Sequence, residues 1–235
     1  MTGLRYVYAV CRPFGAALQS QLTGLGGDPP RLLTHHGLIA VVSHVPEQDF
    51  AEKPLRAHAE DPDWQAATTR AHQSVIDALT AVTTPLPLRP GTVFRDDSGV
   101  RTMMEAHEDY FRRTLDRLDG RVEWGVEVYA ETESFASRLH ETLSSYAEDS
   151  RLHIARNSAL SGVAGRNVLD AAYLVPRSDS EEFVELVDRA KEAAAPGTRV
   201  ELTGPWAAYS FTGHLPPVPA TPASGRGSAA HQESQ

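Results

Sequence analysis

Changes in the spacing of apolar positions divide the chain into its elements. Leu4 to Val10 is a run rich in Tyr and Val that reads as a buried first strand. A loop and a short helical piece follow, ended by Gly24-Leu25-Gly26-Gly27-Asp28-Pro29-Pro30. Leu32 to Leu33 and Gly37 to Val42 read as strands on either side of a hairpin turn at His35-His36-Gly37, and Pro46 and Pro54 bracket a loop. Three- and four-residue spacing then takes over at Trp64, Ala67, Ala71, Val75, Ala78, Leu79 and Val82, which predicts a helix capped by Asp61 or Asp63. After the Pro-rich stretch from Pro85 to Gly91, Ser98 is placed to cap a second helix. Its stripe is Met103, Met104, His107, Phe111, Leu115 and Leu118, and Asp119-Gly120 ends it.

The clearest alternation in the chain comes next. Val122, Trp124, Val126 and Val128 interleave with Glu123, Gly125, Glu127 and Tyr129, so the strand has one dry and one wet face. A third helix is predicted from about Glu131 to Tyr146, and Arg151 to Gly165 reads as an irregular connection. Val168 to Val175 is a nearly unbroken apolar run, as in a central strand. Ser178 or Ser180 caps a helix running to Ala195, with Phe183, Leu186, Val187 and Ala190 inward, and Pro196-Gly197 stops it. Val200 and Leu202 then alternate into Leu202-Thr203-Gly204-Pro205-Trp206-Ala207-Ala208-Tyr209-Ser210-Phe211, where three aromatics crowd behind a Gly-Pro turn. The order of strands and helices predicts the α+β class in two domains, an N-terminal one over 1–130 and a C-terminal one with a helical connection over 131–212. From Gly213 the chain is Pro, Ala, Ser, Gly and Gln with Arg226 and Glu233 as its only Arg and acidic residue, so 213–235 is expected to be a disordered tail.

Composition narrows the function classes. With 22 basic and 31 acidic side chains the net charge is −9, which argues against binding nucleic acid through its phosphates. Cys11 is the only cysteine, which rules out an internal disulfide and a Cys-based zinc site and suits a reducing compartment. The first residues lack the apolar core of a signal peptide, and no apolar run approaches the ~20 residues that span a bilayer. The expectation is a soluble cytoplasmic protein with no membrane partner.

Chemistry-bearing motifs are weak. Gly24-Leu25-Gly26-Gly27 lacks the third glycine and the helix of a dinucleotide loop. His107-Glu108 and His140-Glu141 lack the second histidine of a zincin helix, and no Gly-x-Ser-x-Gly elbow exposes a serine. His35-His36 reads as a solvated hairpin tip, and His72 and His107 as hydrogen-bonded core histidines. Residue chemistry therefore predicts no enzyme, no cofactor and no metal.

The wording of the chain is more telling than its chemistry. Tyr6-Val7-Tyr8-Ala9, Gly37 to Ser43, His72, Leu86 to Phe94, Glu123-Trp124-Gly125-Val126-Glu127-Val128, Val168 to Val175 and Leu202 to Phe211 stand in this order. Together they resemble the gas vesicle protein F/L family over roughly Leu4 to Phe211. The resemblance implies two ferredoxin-like α+β domains and an accessory, non-enzymatic role in gas vesicle assembly. It also implies association with vesicles in the cytoplasm and contacts with the main shell protein, gas vesicle protein A, and with other accessory proteins. It does not separate an F-like from an L-like role. The chain departs from the family at Arg89-Pro90-Gly91-Thr92, where Arg-Phe-Gly-Thr is usual, at Glu127, where a lysine is usual, and in a shorter 132–166 connection. Arg89, Trp206 and Tyr209 are the candidate partner-binding residues, aromatics and arginines being the side chains that anchor interfaces. For Trp206 the competing reading is closure of the C-terminal core, and for Arg89 an internal pair with Glu123. The alternative function is a small-molecule-binding or catalytic domain of the ferredoxin-like type.

Overall fold

The structure, a computed structural model, describes residues 3–15, 22–58, 60–154 and 166–213. The expected tail beyond Gly213 and the larger part of the 151–165 connection lie outside the described residues, as does most of the short helical piece before Gly24. Two antiparallel sheets carry the described strands. The first contains β1 (Gly3–Cys11), β2 (Arg31–His35), β3 (Leu38–Pro46), β4 (Leu86–Pro87) and β5 (Val93–Phe94). Its order is β2-β3-β1-β4, with β5 also paired to β1. Helices cover both faces of this sheet, which is why Tyr6 to Cys11 is buried at every position. On one face Tyr6, Tyr8 and Val41 meet Val75, Ile76 and Leu79 of α3 (Pro62–Thr80). On the other, Val7, Val10 and Val42 meet Val100, Met103 and Met104 of α4 (Asp97–Ala106) and Phe111 and Leu115 of α5 (Glu108–Leu118).

The second sheet follows the order β-α-β-β-α-β. Its elements are β6 (Arg121–Ala130), α6 (Ser134–Tyr146), β7 (Asp149–Leu152), β8 (Arg166–Pro176), α7 (Ser180–Glu192) and β9 (Arg199–Trp206). The spatial order β7-β8-β6-β9, antiparallel throughout, is the ferredoxin-like arrangement, and the first sheet repeats the same strand order. Helices α6 and α7 cover one face, where Val122, Trp124, Val126 and Val128 pack against Leu139, Leu143, Phe183 and Val187. The strand and helix patterns of the α+β expectation are thus found, with local differences.

The stretch between Pro46 and Pro54, expected as a loop, folds into two short helices, Glu47–Phe50 (α1) and Glu52–His58 (α2). Pro54 falls in the first turn of α2, where a missing N–H costs no intrahelical bond. The single helix expected from Ser98 to Leu118 is two, broken at His107, where φ is −122° and ψ 17°. Its cap is Asp96, which accepts from the Gly99 N–H at 2.9 Å, rather than Ser98. Strand β7 was not expected, and β6, placed with the N-terminal half by the 1–130 expectation, is hydrogen-bonded on both sides within the second sheet.

Candidate functional site: the seam between the sheets and the groove beside it

The face of the second sheet not covered by α6 and α7 is where the chain end returns. At Gly204 a Cβ would lie 2.8 Å from the Glu123 carbonyl oxygen, and φ is +121°, so only glycine fits where β9 crosses β6. A cis Gly204–Pro205 bond follows, and Tyr209–Phe211 then forms a 3-10 turn. Ala207 packs with Tyr6, Tyr8, Ile76 and Leu79 of the first sheet's layer. Ala208 and Phe211 pack with Leu118 at the end of α5 and with Ala172 and Leu174 on β8. Arg117 and Tyr110 of α5 donate to the carbonyls of Phe211 and Thr212, and the Arg151 guanidinium sits 5.7 Å from the centre of the Phe211 ring. The aromatic motif therefore does not close the core of the C-terminal half, as one reading of Trp206 had it. That core lies on the opposite face of the sheet, and the motif fills the seam between the two halves.

Two polar networks lock this seam. In the first, His72 on α3 takes the Tyr6 hydroxyl at its Nδ1 (2.9 Å) and the Tyr209 hydroxyl at its Nε2 (3.1 Å). Only one ring nitrogen of neutral imidazole carries a hydrogen, so one tyrosine donates and the other accepts. Burial holds the imidazole down to about 4 and pushes the Tyr6 and Tyr209 phenols above their usual range. The Tyr6 hydroxyl also accepts from the Gly91 N–H at 3.1 Å, which ties the Pro90-Gly91 turn to the same network. His72 is thus the hydrogen-bonded core histidine that its helical stripe predicts. His107 is buried as expected, but its Nε2 has no hydrogen-bond partner.

The second network is a relay. Asp170 Oδ1 lies 3.0 Å from His153 Nδ1, His153 Nε2 lies 3.2 Å from Ser210 Oγ, and Ser210 Oγ lies 2.7 Å from Glu123 Oε1. The Ser210 N–H also donates to Glu123 Oε2 at 2.8 Å. The Ser210 hydroxyl donates to Glu123 Oε1, and the His153 ring bridges Ser210 and Asp170. Burial raises the Glu123 carboxyl above its ordinary value, although its contacts with Ser210 oppose this. The acid–imidazole–hydroxyl order has the sequence of a hydrolytic triad. Here the serine hydroxyl and its own N–H are both turned onto a buried carboxyl, so the arrangement clamps Ser210 to β6.

Beside the relay lies a groove of about 400 Å³ along the open face of the second sheet, with Glu127, Tyr129, Asn167 and Thr203 along it and Trp206 at its rim. Trp206 is 38 % exposed, and Asn167 keeps a buried Oδ1 without a partner. Of the expected partner-binding residues, Trp206 borders this groove, and Arg89 is exposed on the turn after β4 and does not line it. Tyr209 is drawn into the seam by His72. The expected Arg89–Glu123 pair is replaced by the Ser210–Glu123 contacts, because Glu123 faces the seam. Sequence reasoning offered Glu123 as a pair for Arg89 and not as the partner of Ser210, and it missed His153 and Asp170. The one available signal, Glu123 on the supposed wet face of β6, indicated solvent, whereas the side chain is 8 % exposed.

The model of the family described as gas vesicle synthesis protein GvpL/GvpF matches residues 4–139 and 130–213. The chain belongs to this family. Gas vesicle protein L of Streptomyces sp. (strain CB03234) is 50 % identical to it, over 89 % of this chain and 93 % of that protein. Gas vesicle protein F of the same strain is 28 % identical, over 86 % and 81 %. The crystal structure of GvpF from Anabaena sp. PCC7120 shares the fold with a TM-score of 0.72 at 16 % identity, covering 90 % of this chain and 97 % of that one. GvpF from Microcystis aeruginosa does so with a TM-score of 0.68 at 15 % identity, over 91 % and 100 %. In this GvpL/GvpF protein the seam motif falls inside the matched region, and membership assigns the chain a gas vesicle role. No helix of the described residues is long and apolar enough to cross a membrane.

Proposed function

We propose that the chain is an L-type accessory protein of gas vesicle assembly that acts by binding, without catalysis, to the main shell protein and to other accessory proteins in the cytoplasm. The observation that carries this reading is the family match through residue 213 together with 50 % identity to a gas vesicle protein L. Trp206, exposed at the rim of the groove, and Arg89, exposed on its turn, are the contact residues of this reading. Tyr209 acts behind them by holding the seam that positions Trp206. The proposed units divide near Asp119-Gly120, the short link between α5 and β6.

The test is co-purification of gas vesicle protein A and of accessory proteins with the wild-type chain and with Trp206→Ala and Arg89→Ala variants. An exposed Trp and an exposed Arg leave folding intact when truncated, so reduced capture with an unchanged unfolding midpoint supports the reading. Absence of capture by the wild-type chain, with vesicle formation unaffected by its deletion, would refute it.

A further inference from the structure

The hairpin tip between β2 and β3 stands against the junction of α4 and α5, away from the seam. His36 takes a left-handed conformation (φ +46°), and its ring stacks on His35 with centroids 4.1 Å apart and planes 16° from parallel. The stacked pair meets two carboxylates from the helices. His35 Nε2 is 2.8 Å from Glu105 Oε1, and His36 Nδ1 is 2.9 Å from Glu108 Oε2. Glu108 is further engaged by Arg112 at 2.8 Å, and Arg112 also donates to the His36 carbonyl. Arg112 therefore neutralises Glu108, whereas the partner of Glu105 is His35.

One donor atom from each of His35, His36 and Glu105 falls within 4.8 Å of the other two. We propose that these three side chains form a divalent transition-metal site, with Zn2+ as its ion. Two imidazole nitrogens and one carboxylate oxygen suit Zn2+ and its neighbours in the transition series, whereas Mg2+ and Ca2+ require oxygen ligands. Zinc bonds to these atoms run near 2.0–2.2 Å, so tetrahedral ligands sit ~3.4 Å apart, and reaching that spacing takes rotation of the half-exposed His36 ring off its stack on His35 together with rotation of the half-exposed Glu105. Water completes the coordination on the solvent side. Coordination uses one lone-pair nitrogen of each imidazole and fastens the hairpin tip to a helix 70 residues further along the chain.

The experiment uses the full chain without a polyhistidine tag, stripped with chelator, and titrated calorimetrically with Zn2+ alone and with Mg2+ alone at pH 7.5. The expected result is one equivalent of Zn2+, no Mg2+ uptake, and a rise in thermal midpoint on the order of 5 °C at a hundredfold excess over the dissociation constant. Affinity falls at least ~10-fold in the His35→Ala/His36→Ala double variant and in Glu105→Gln, whose exposed site leaves the fold undisturbed. Circular dichroism checks folding of both. Absence of Zn2+ uptake, or uptake of equal affinity and stoichiometry in both variants, overturns the proposal and leaves the four side chains as two surface His–Glu pairs.

Discussion

Acidification is expected to loosen the seam through His72. This imidazole is 1 % exposed, sits between two tyrosine hydroxyls, and is held by burial at about 4, against 6.5 for the free side chain. Because the folded value is depressed, its contribution is fully present above pH 6.5 and is lost as the pH falls through the window from 6.5 to 4. Between pH 7.5 and pH 4.5 the unfolded chain takes up a proton that the folded chain refuses, which removes about 2–3 kcal/mol of stability. Urea unfolding of the wild type and of His72→Gln at both pH values isolates this share from the carboxylates. Glutamine keeps one donor and one acceptor near the two hydroxyls and does not titrate. The wild type should lose about 2–3 kcal/mol more than the variant on acidification. Equal losses in the two proteins would show that His72 is protonated in the folded state or reached by water, and the account of the seam would fail.

Tyr209→Phe removes the Nε2 partner of His72 and is expected to cost about 1–2 kcal/mol in denaturant unfolding, with a cost near zero counting against the network. Gly204→Ala forces a side chain into a positive-φ position against the Glu123 carbonyl and should cost about 3 kcal/mol or prevent folding, read from the thermal midpoint. Glu123→Gln replaces the titrating carboxyl by an amide whose nitrogen can donate to Ser210 Oγ while its oxygen accepts the Ser210 N–H. The wild-type carboxyl has a raised value, so its stability falls as pH rises above the ordinary glutamate range. The variant should show a flatter pH profile and gain on the wild type as pH rises above the ordinary glutamate range, and a parallel profile would contradict the raised carboxyl.

What the sequence disclosed depended on how local the cause was. Alternation from Val122 to Val128 reports burial under α6 and α7 directly, and the strand is found where the pattern puts it. The stripe from Met103 to Leu118 runs through His107 without a break in period, so nothing in it marks the division into α4 and α5. Strand β7 is four residues long, polar at Asp149, Ser150 and Arg151, and formed only by pairing with β8 at the sheet edge. Glu123 is the sharpest case. Its position on β6 is the wet one, and it is buried because the chain end, 87 residues later, returns to cover that face. His72 was legible as a core histidine from its helical stripe, whereas its partner Tyr209 lies 137 residues away and was not.

The seam explains why the aromatic motif stands near the end of the matched region. Each half has its own apolar layers, so either sheet satisfies its core without the other. A short stretch wedges between them, Ala207 against the first layer and Ala208 and Phe211 against the second sheet, beside Leu118 on Ala172 and Leu174 and an Arg177 bond to the Thr80 carbonyl at 2.9 Å. Such a stretch stabilises both halves only while both are folded, which makes their unfolding cooperative across a junction of few residues. It also fixes where Trp206 stands, because the residue immediately before the wedge has its position set by Gly204 on one side and Ala207 on the other. Tyr209 and Ser210, three and four residues further on, are held by His72 and by Glu123. A partner docking on Trp206 would bind a surface whose geometry both domains define, and loosening the seam would weaken that binding without touching a single contact residue.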